Sequence, residues 1–153
     1  MLNTLYIDEK SMLNTIKDDI NYYLSKETVE HSLRVANNCY NNLFQFKFYL
    51  IGLLHDLIED TDLTINDLKV KYKDMFIHFQ NEQFAVDVLD AVNSLTRRKD
   101  EKYFDYINRI KLHEDARKVK FFDLQDNLMR CMLNDNKSLK KRYLKALEII
   151  MEN

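Results

Sequence analysis

Proline is absent from this chain of 153 residues, and glycine occurs once, as Gly52. Globular proteins average about 5% and 7% of these two residues. Sheet proteins of this length draw on both for their turns, so a β-rich fold is disfavoured. Helices can stop on Asn, Asp, Ser and Thr instead, and those are plentiful here. The composition predicts an all-α domain. An excess of one charge is also missing: 23 Lys and Arg stand against 25 Asp and Glu, a net charge of −2. That gives no electrostatic basis for a nucleic-acid partner. No stretch approaches the roughly 18 apolar residues of a membrane span, so no membrane partner is expected. Met1 to Leu5 show no basic region ahead of an apolar run, so a secretory signal is not expected. Cys39 and Cys131 are isolated and read as reduced core thiols. The expectation is one cytoplasmic helical domain over residues 1–153, its oligomeric state left open.

Apolar spacing divides the chain into seven to nine helices. Ile7 to Leu24 reads as the first, with Met12, Ile16, Ile20 and Tyr23 on one face. Thr28 can cap a second through about Asn42. Phe44 to Glu59 is apolar all round, which predicts a central helix buried on several sides. Thr64 with Asp67 three residues later is a capping signal for a short helix, Ile65 to Tyr72. Lys73 to Asn81 reads as loop or fraying helix. Further helices follow from Phe84 to Leu95, Tyr103 to His113, Ala116 to Leu133 and Ser138 to Glu148.

The run Ile51-Gly52-Leu53-Leu54-His55-Asp56-Leu57-Ile58-Glu59-Asp60-Thr61 carries the main chemical signal. It sets an imidazole and three acids in an apolar stretch, which is costly unless something compensates. On a helix, residues three and four apart share a face, so His55, Asp56, Glu59 and Asp60 would meet at one end. His31 and Asp123 also sit among apolar residues, and a polar group at a core position needs a partner. Two imidazoles and two carboxylates make a mixed N/O donor set. It suits Mn, Fe, Mg, Co or Zn, and the sequence does not choose among them.

The order His31, His55-Asp56, Asp123 resembles the HD-domain metal-dependent phosphohydrolases. It is similar above all to the hydrolase branch of the RelA/SpoT proteins and the small alarmone hydrolases. The matching pieces are Leu53 to Asp56 with Glu59-Asp60-Thr61, Val92 to Thr96, and Val119-Lys120 with Asp123 and Asn127. The resemblance runs from about Thr28 to Leu147 and implies an all-helical fold. It implies that His31, His55, Asp56 and Asp123 hold one divalent metal, manganese foremost. It implies that Glu59 and Asp60 form the acid–base pair and that Asn127 orients water or nucleotide. The implied substrate is a small nucleotide, in that branch guanosine with a 3′-pyrophosphate. Ser25 to Glu30 lacks the Gly-x-Pro-Tyr usual before the first ligand there. That keeps open a nucleotidase or pyrophosphohydrolase for another nucleotide, and a non-catalytic nucleotide-sensing module.

Other candidates carry two readings each. Arg34, one turn from His31, reaches a substrate phosphate or lies at the surface. Lys120 contacts substrate or points outward. The basic runs Arg97-Arg98-Lys99 and Lys140-Lys141-Arg142 hold phosphates or are solvated faces. Tyr143 resembles a family tyrosine near the nucleotide and also fits a core stripe. Asp126 supports the site or is solvated. His78 and His113 match no ligand position and are expected at the surface, His113 at a helix C-terminus.

Overall fold

A computed structural model describes residues 8–152. Its order is α1 (Glu9–Tyr23), α2 (Lys26–Leu43), α3 (Phe46–Leu54), α4 (Ile65–Phe79), α5 (Glu82–Leu95), α6 (Tyr103–Lys111), α7 (Glu114–Leu133) and α8 (Lys137–Met151). No strand occurs among the described residues, so the all-α expectation holds. No helix there is long and apolar enough to cross a membrane. The expected helix start at Ile7 and the reading of Met1 to Leu5 lie outside the described residues.

The helix starts use the polar caps that the composition offered. Asp8, Ser25, Asn81 and Asn136 each accept a backbone N–H three residues on, satisfying a donor the helix leaves free. Thr64 and Asp67 form the full reciprocal capping box. Without glycine at its C-terminus, α2 ends on Phe44 at φ 53°, in the left-handed region.

Helix α3 is the centre of the packing. Phe48, Leu50, Ile51, Gly52, Leu53 and Leu54 are all buried. It touches α1, α2, α5 and α7, and α7 also packs on α2, α5, α6 and α8. Two crossings position the buried polar residues: α2 on α3, and α7 across both.

Several boundaries differ from the sequence reading. Helix α2 begins at Lys26, capped by Ser25, so Thr28 lies inside it and supplies the capped N–H. Helix α3 ends at Leu54; residues 55–60 continue as tight turns, with Leu57 N–H on Leu54 O and Asp60 N–H on Asp56 O. Helix α4 extends to Phe79, because Phe76 and Phe79 pack on Phe84 and extend the buried face beyond Tyr72. His113 is half-buried and starts α7, its Nδ1 accepting the Ala116 N–H at 3.3 Å. The expected exposed position at a helix C-terminus is thereby corrected: His113 caps the start of α7. Both cysteines are buried free thiols.

Candidate metal centre

Three elements bring the donors together: α2 supplies His31, the turn after α3 supplies His55 and Asp56, and α7 supplies Asp123. His31, His55 and Asp123 are 4%, 2% and 2% exposed, so the donors are shut off from bulk water. One ligand atom from each of these three lies within 4.8 Å of the other two. His31 Nε2 is 2.9 Å from Asp123 Oδ1, and His55 Nε2 is 3.6 Å from the same oxygen. Asp56 Oδ2 stands 3.2 Å from His55 Nε2 and 3.6 Å from His31 Nε2. Atoms held about 2.1 Å from one ion stand about 3.0 Å apart at right angles and about 3.4 Å apart at the tetrahedral angle. The His31, His55 and Asp123 atoms therefore have the spacing of ligands around a single cation, while Asp56 reaches the two imidazoles from outside that mutual group.

The ring orientations agree with that geometry. His55 Nδ1 lies 2.8 Å from the Gly52 carbonyl, which can only accept, so Nδ1 carries a proton. Its Nε2 is buried and makes no well-aligned hydrogen bond among the described residues, although two carboxylate oxygens lie within 3.6 Å. A buried nitrogen without an aligned partner is costly and rare unless an unseen ligand satisfies it. His31 repeats the pattern: Nδ1 donates to Asp126 Oδ2 at 2.7 Å and leaves Nε2 facing the cluster. Asp126 is fixed in turn by Arg34, whose Nε and Nη2 donate to its two oxygens at 2.7 and 3.0 Å. A carboxylate behind a ligating imidazole is the usual support for a metal-binding histidine.

Helix α7 turns one polar face to the site because Lys120, Asp123, Asp126 and Asn127 are three or four residues apart. Lys120 Nζ pairs with Asp123 Oδ2 at 2.7 Å, and Asn127 Nδ2 donates to Oδ1 at 2.7 Å. Lys120 is buried, so its outward reading is corrected: its charge offsets that of a carboxylate in the core. Arg34 gives its Nε and Nη2 to Asp126.

The local fields are strong. Burial works against a charged His55, but the charges of Asp56 and Asp123 hold the ring well above its ordinary value, so a bound cation would take the place of the Nε2 proton. Burial raises Asp123, and Lys120 with the two imidazoles more than reverses this, leaving it well below the carboxylate range. Asp56 is likewise lowered, by His55 against burial. These carboxylates stay ionised and draw positive charge to one point.

Glu59 and Asp60 part company instead of meeting at one helix end. Glu59 Oε2 accepts the Arg97 backbone N–H at 3.3 Å, on the α5–α6 side. Asp60 lies toward Thr28 on α2, whose hydroxyl partly offsets a rise caused by lost solvent and by Asp56. Glu59 is also raised, first by lost solvent, and the charges of Asp56 and Asp60 add to it. Tyr143 is half-buried and shares with Asn127, Arg130 and Asn134 a cavity of about 160 Å³. A cavity of about 550 Å³ lies between Asn93, Arg97, Arg98 and His113, and none of the candidate metal ligands lines it.

Asp126 was the supporting residue that sequence reasoning left undecided. Its signal was its spacing: three residues after Asp123, it had to share the site face of α7. Tyr103 was missed as a site neighbour, since only the fold brings it beside Arg97 and Arg142. No family model matches the chain, and no curated protein matches it.

Proposed function

We propose that this chain is a divalent-metal-dependent phosphohydrolase of the HD-domain type acting on a small nucleotide, with a guanosine 3′-pyrophosphate alarmone as its leading substrate. The observation that supports it is the convergence of His31, His55 and Asp123 at ligand spacing, with Asp56 within 3.6 Å of both imidazoles. His31, His55, Asp56 and Asp123 would hold the ion, with manganese the first choice among Mn, Mg, Co, Fe and Zn. Once bound, it would supply Lewis-acid charge to a phosphoryl oxygen.

The remaining chemistry belongs to the chain. Gly52 O and Asp126 fix the two imidazoles in one tautomer and one orientation. Lys120 keeps Asp123 Oδ2 occupied, so that only Oδ1 faces the donors. Glu59 and Asp60 have raised proton affinities, which brings them nearer to working pH. Arg97 N–H fixes Glu59 Oε2, so Oε1 is the atom that takes a proton from attacking water or returns one to the leaving oxygen. Asn127 borders both the donor cluster and the small cavity, which supports its role in orienting water or nucleotide.

Purified protein with Mn²⁺, a nucleotide panel and product chromatography tests this. Release of intact pyrophosphate from the 3′ position, with the 5′-diphosphate untouched, is expected. Orthophosphate from 5′-monophosphates alone would replace the alarmone assignment with a nucleotidase. Bound metal without turnover of any nucleotide would overturn the hydrolase reading in favour of a sensing module.

A further inference from the structure

Charge is spread unevenly along this chain. Helix α8 carries Lys137, Lys140, Lys141, Arg142 and Lys145 against a single acid, Glu148. The whole chain has a net charge of −2, so everything outside α8 is acidic on balance. Lys137, Lys140, Lys141, Leu144 and Lys145 are three or four residues apart and share one exposed face. The opposite face, with Ala146 and Ile150, is buried. Arg142 leaves the stripe, its guanidinium carbon 5.0 Å from the Tyr103 ring centroid on α6. Lys47, Lys71, Lys111, Lys118 and Lys120 each pair with a carboxylate, whereas among the described residues Lys137, Lys140, Lys141 and Lys145 do not.

Exposed apolar side chains border the stripe. Lys137 and Lys140 share a surface recess of about 190 Å³ with Met132, near the end of α7. They share a second, of about 410 Å³, with Lys141, Leu144 and Lys145. Met132 is 62% exposed and Leu144 43%. The carboxylates lining these recesses are Asp135, at the α7–α8 corner, and Glu148, at the far end of the stripe. None of the candidate metal ligands lines either recess.

Unpaired cations beside bare apolar side chains match a surface with the same two parts. Lysine is a compact charge on a flexible stem, which suits a fluid array of anionic headgroups better than a fixed forked contact. The lysine stems, Met132 and Leu144 can enter the headgroup layer while the ammonium groups stay in water. A nucleic-acid backbone would leave the apolar side chains unused. The acidic remainder of the chain is repelled by an anionic plane, and that turns the lysine face toward it. No helix among the described residues is long and apolar enough to cross a membrane, and a peripheral contact needs none.

We propose that the lysine stripe of α8, together with Met132 and Leu144, is a peripheral docking face for an anionic lipid bilayer. This face lies outside the donor cluster and does not depend on the phosphohydrolase reading. Headgroups neutralise the lysines, and the two apolar side chains leave water on contact.

Sedimentation of the full chain with vesicles tests the docking face. The vesicles are phosphatidylcholine alone, or phosphatidylcholine with about one third phosphatidylserine. Binding is expected only to the mixed vesicles, and should weaken as sodium chloride is raised. Each lysine at an anionic surface contributes about fivefold in partitioning, so Lys137→Gln with Lys141→Gln should lower it about 25-fold. Lys10→Gln with Lys69→Gln removes the same charge from α1 and α4 and should change it less than about threefold. Met132→Gln with Leu144→Gln should lower it about tenfold at unchanged charge. Melting temperatures of all variants are compared, so that unfolding is not read as lost binding. Equal losses in the two lysine pairs would reduce the stripe to diffuse charge and overturn the docking face. Unchanged binding in the Met132 and Leu144 variant would overturn it as well. A wild type that ignores the vesicles but binds polyglutamate through Lys137 and Lys141 would replace the bilayer with an acidic protein partner.

Discussion

Gly52 and Ala36 are in backbone contact where α3 crosses α2: a Cβ built on Gly52 would stand 2.7 Å from Ala36 Cα and 2.9 Å from its nitrogen. Real Cβ atoms do not come that close to backbone, so the only glycine in the chain is fixed by this crossing. The same Gly52 carbonyl orients His55, while α2 carries His31. The close approach thus sets the separation of the two imidazoles, whose rings are 5.2 Å apart.

Gly52→Ala should push α2 and α3 apart. Overpacking of this kind costs about 1–3 kcal/mol. Denaturant unfolding should show that loss, together with weaker metal binding, because His31 moves with α2. Unchanged stability and metal affinity would mean that the helix pair yields without disturbing the imidazoles.

Asp126 lies behind His31 and takes no place among the donors. Asp126→Asn keeps the size of the side chain and removes the charge that receives His31 Nδ1–H and Arg34. Loss of such an outer carboxylate costs about 10- to 100-fold in metal affinity. Competition with a chromophoric chelator measures it. An unaltered dissociation constant would confine Asp126 to pairing with Arg34.

For the acid pair, Glu59→Gln and Asp60→Asn should keep bound metal and lose about 10²-fold or more in turnover, as when a proton-transfer group is removed. Because Glu59 and Asp60 diverge, the two losses need not be equal. Near-normal turnover with an unchanged pH profile in both variants would remove them from the chemistry.

Loop 96–102 owes its shape to Glu101 and Arg109. Arg109 donates to both Glu101 carboxylate oxygens and to the Ser94 and Thr96 carbonyls at the end of α5. The hydrogen bonds from Arg109 hold the Glu101 carboxyl down at about 2, against its ordinary 4.5. A lowered folded-state value stabilises the fold above the ordinary value, and that contribution is lost as pH falls from 4.5 toward about 2. The stability of wild type over Glu101→Gln should therefore shrink across that window and be constant above it. A difference independent of pH would show that the ion pair is not the cause.

Much of this was legible in the sequence. The shortage of glycine and proline foretold helices capped by Asp, Ser, Thr and Asn, and the Thr64–Asp67 box formed as written. His31 and Asp123 stood out because each was polar among apolar neighbours, which only a buried partner could justify. What was not legible depended on long-range contacts. The end of α3 at Leu54 leaves His55 and Asp56 on turns, which local propensity did not mark. Helix α4 passes Tyr72 because aromatic rings from α5 cover its end. Lys120 faces inward because Asp123, a turn away, requires a countercharge in the core. The Arg97–Tyr103–Arg142 group exists only because α6 and α8 are neighbours.

The central claim is that one divalent cation sits among His31, His55, Asp56 and Asp123. Metal analysis of protein loaded with Mn²⁺ and freed of excess tests it most directly, comparing wild type with His55→Ala and Asp123→Ala. The account predicts about one ion per wild-type chain, nearly none in either variant, and a melting temperature that rises with metal only in the wild type. Equal metal content in all three proteins would contradict it.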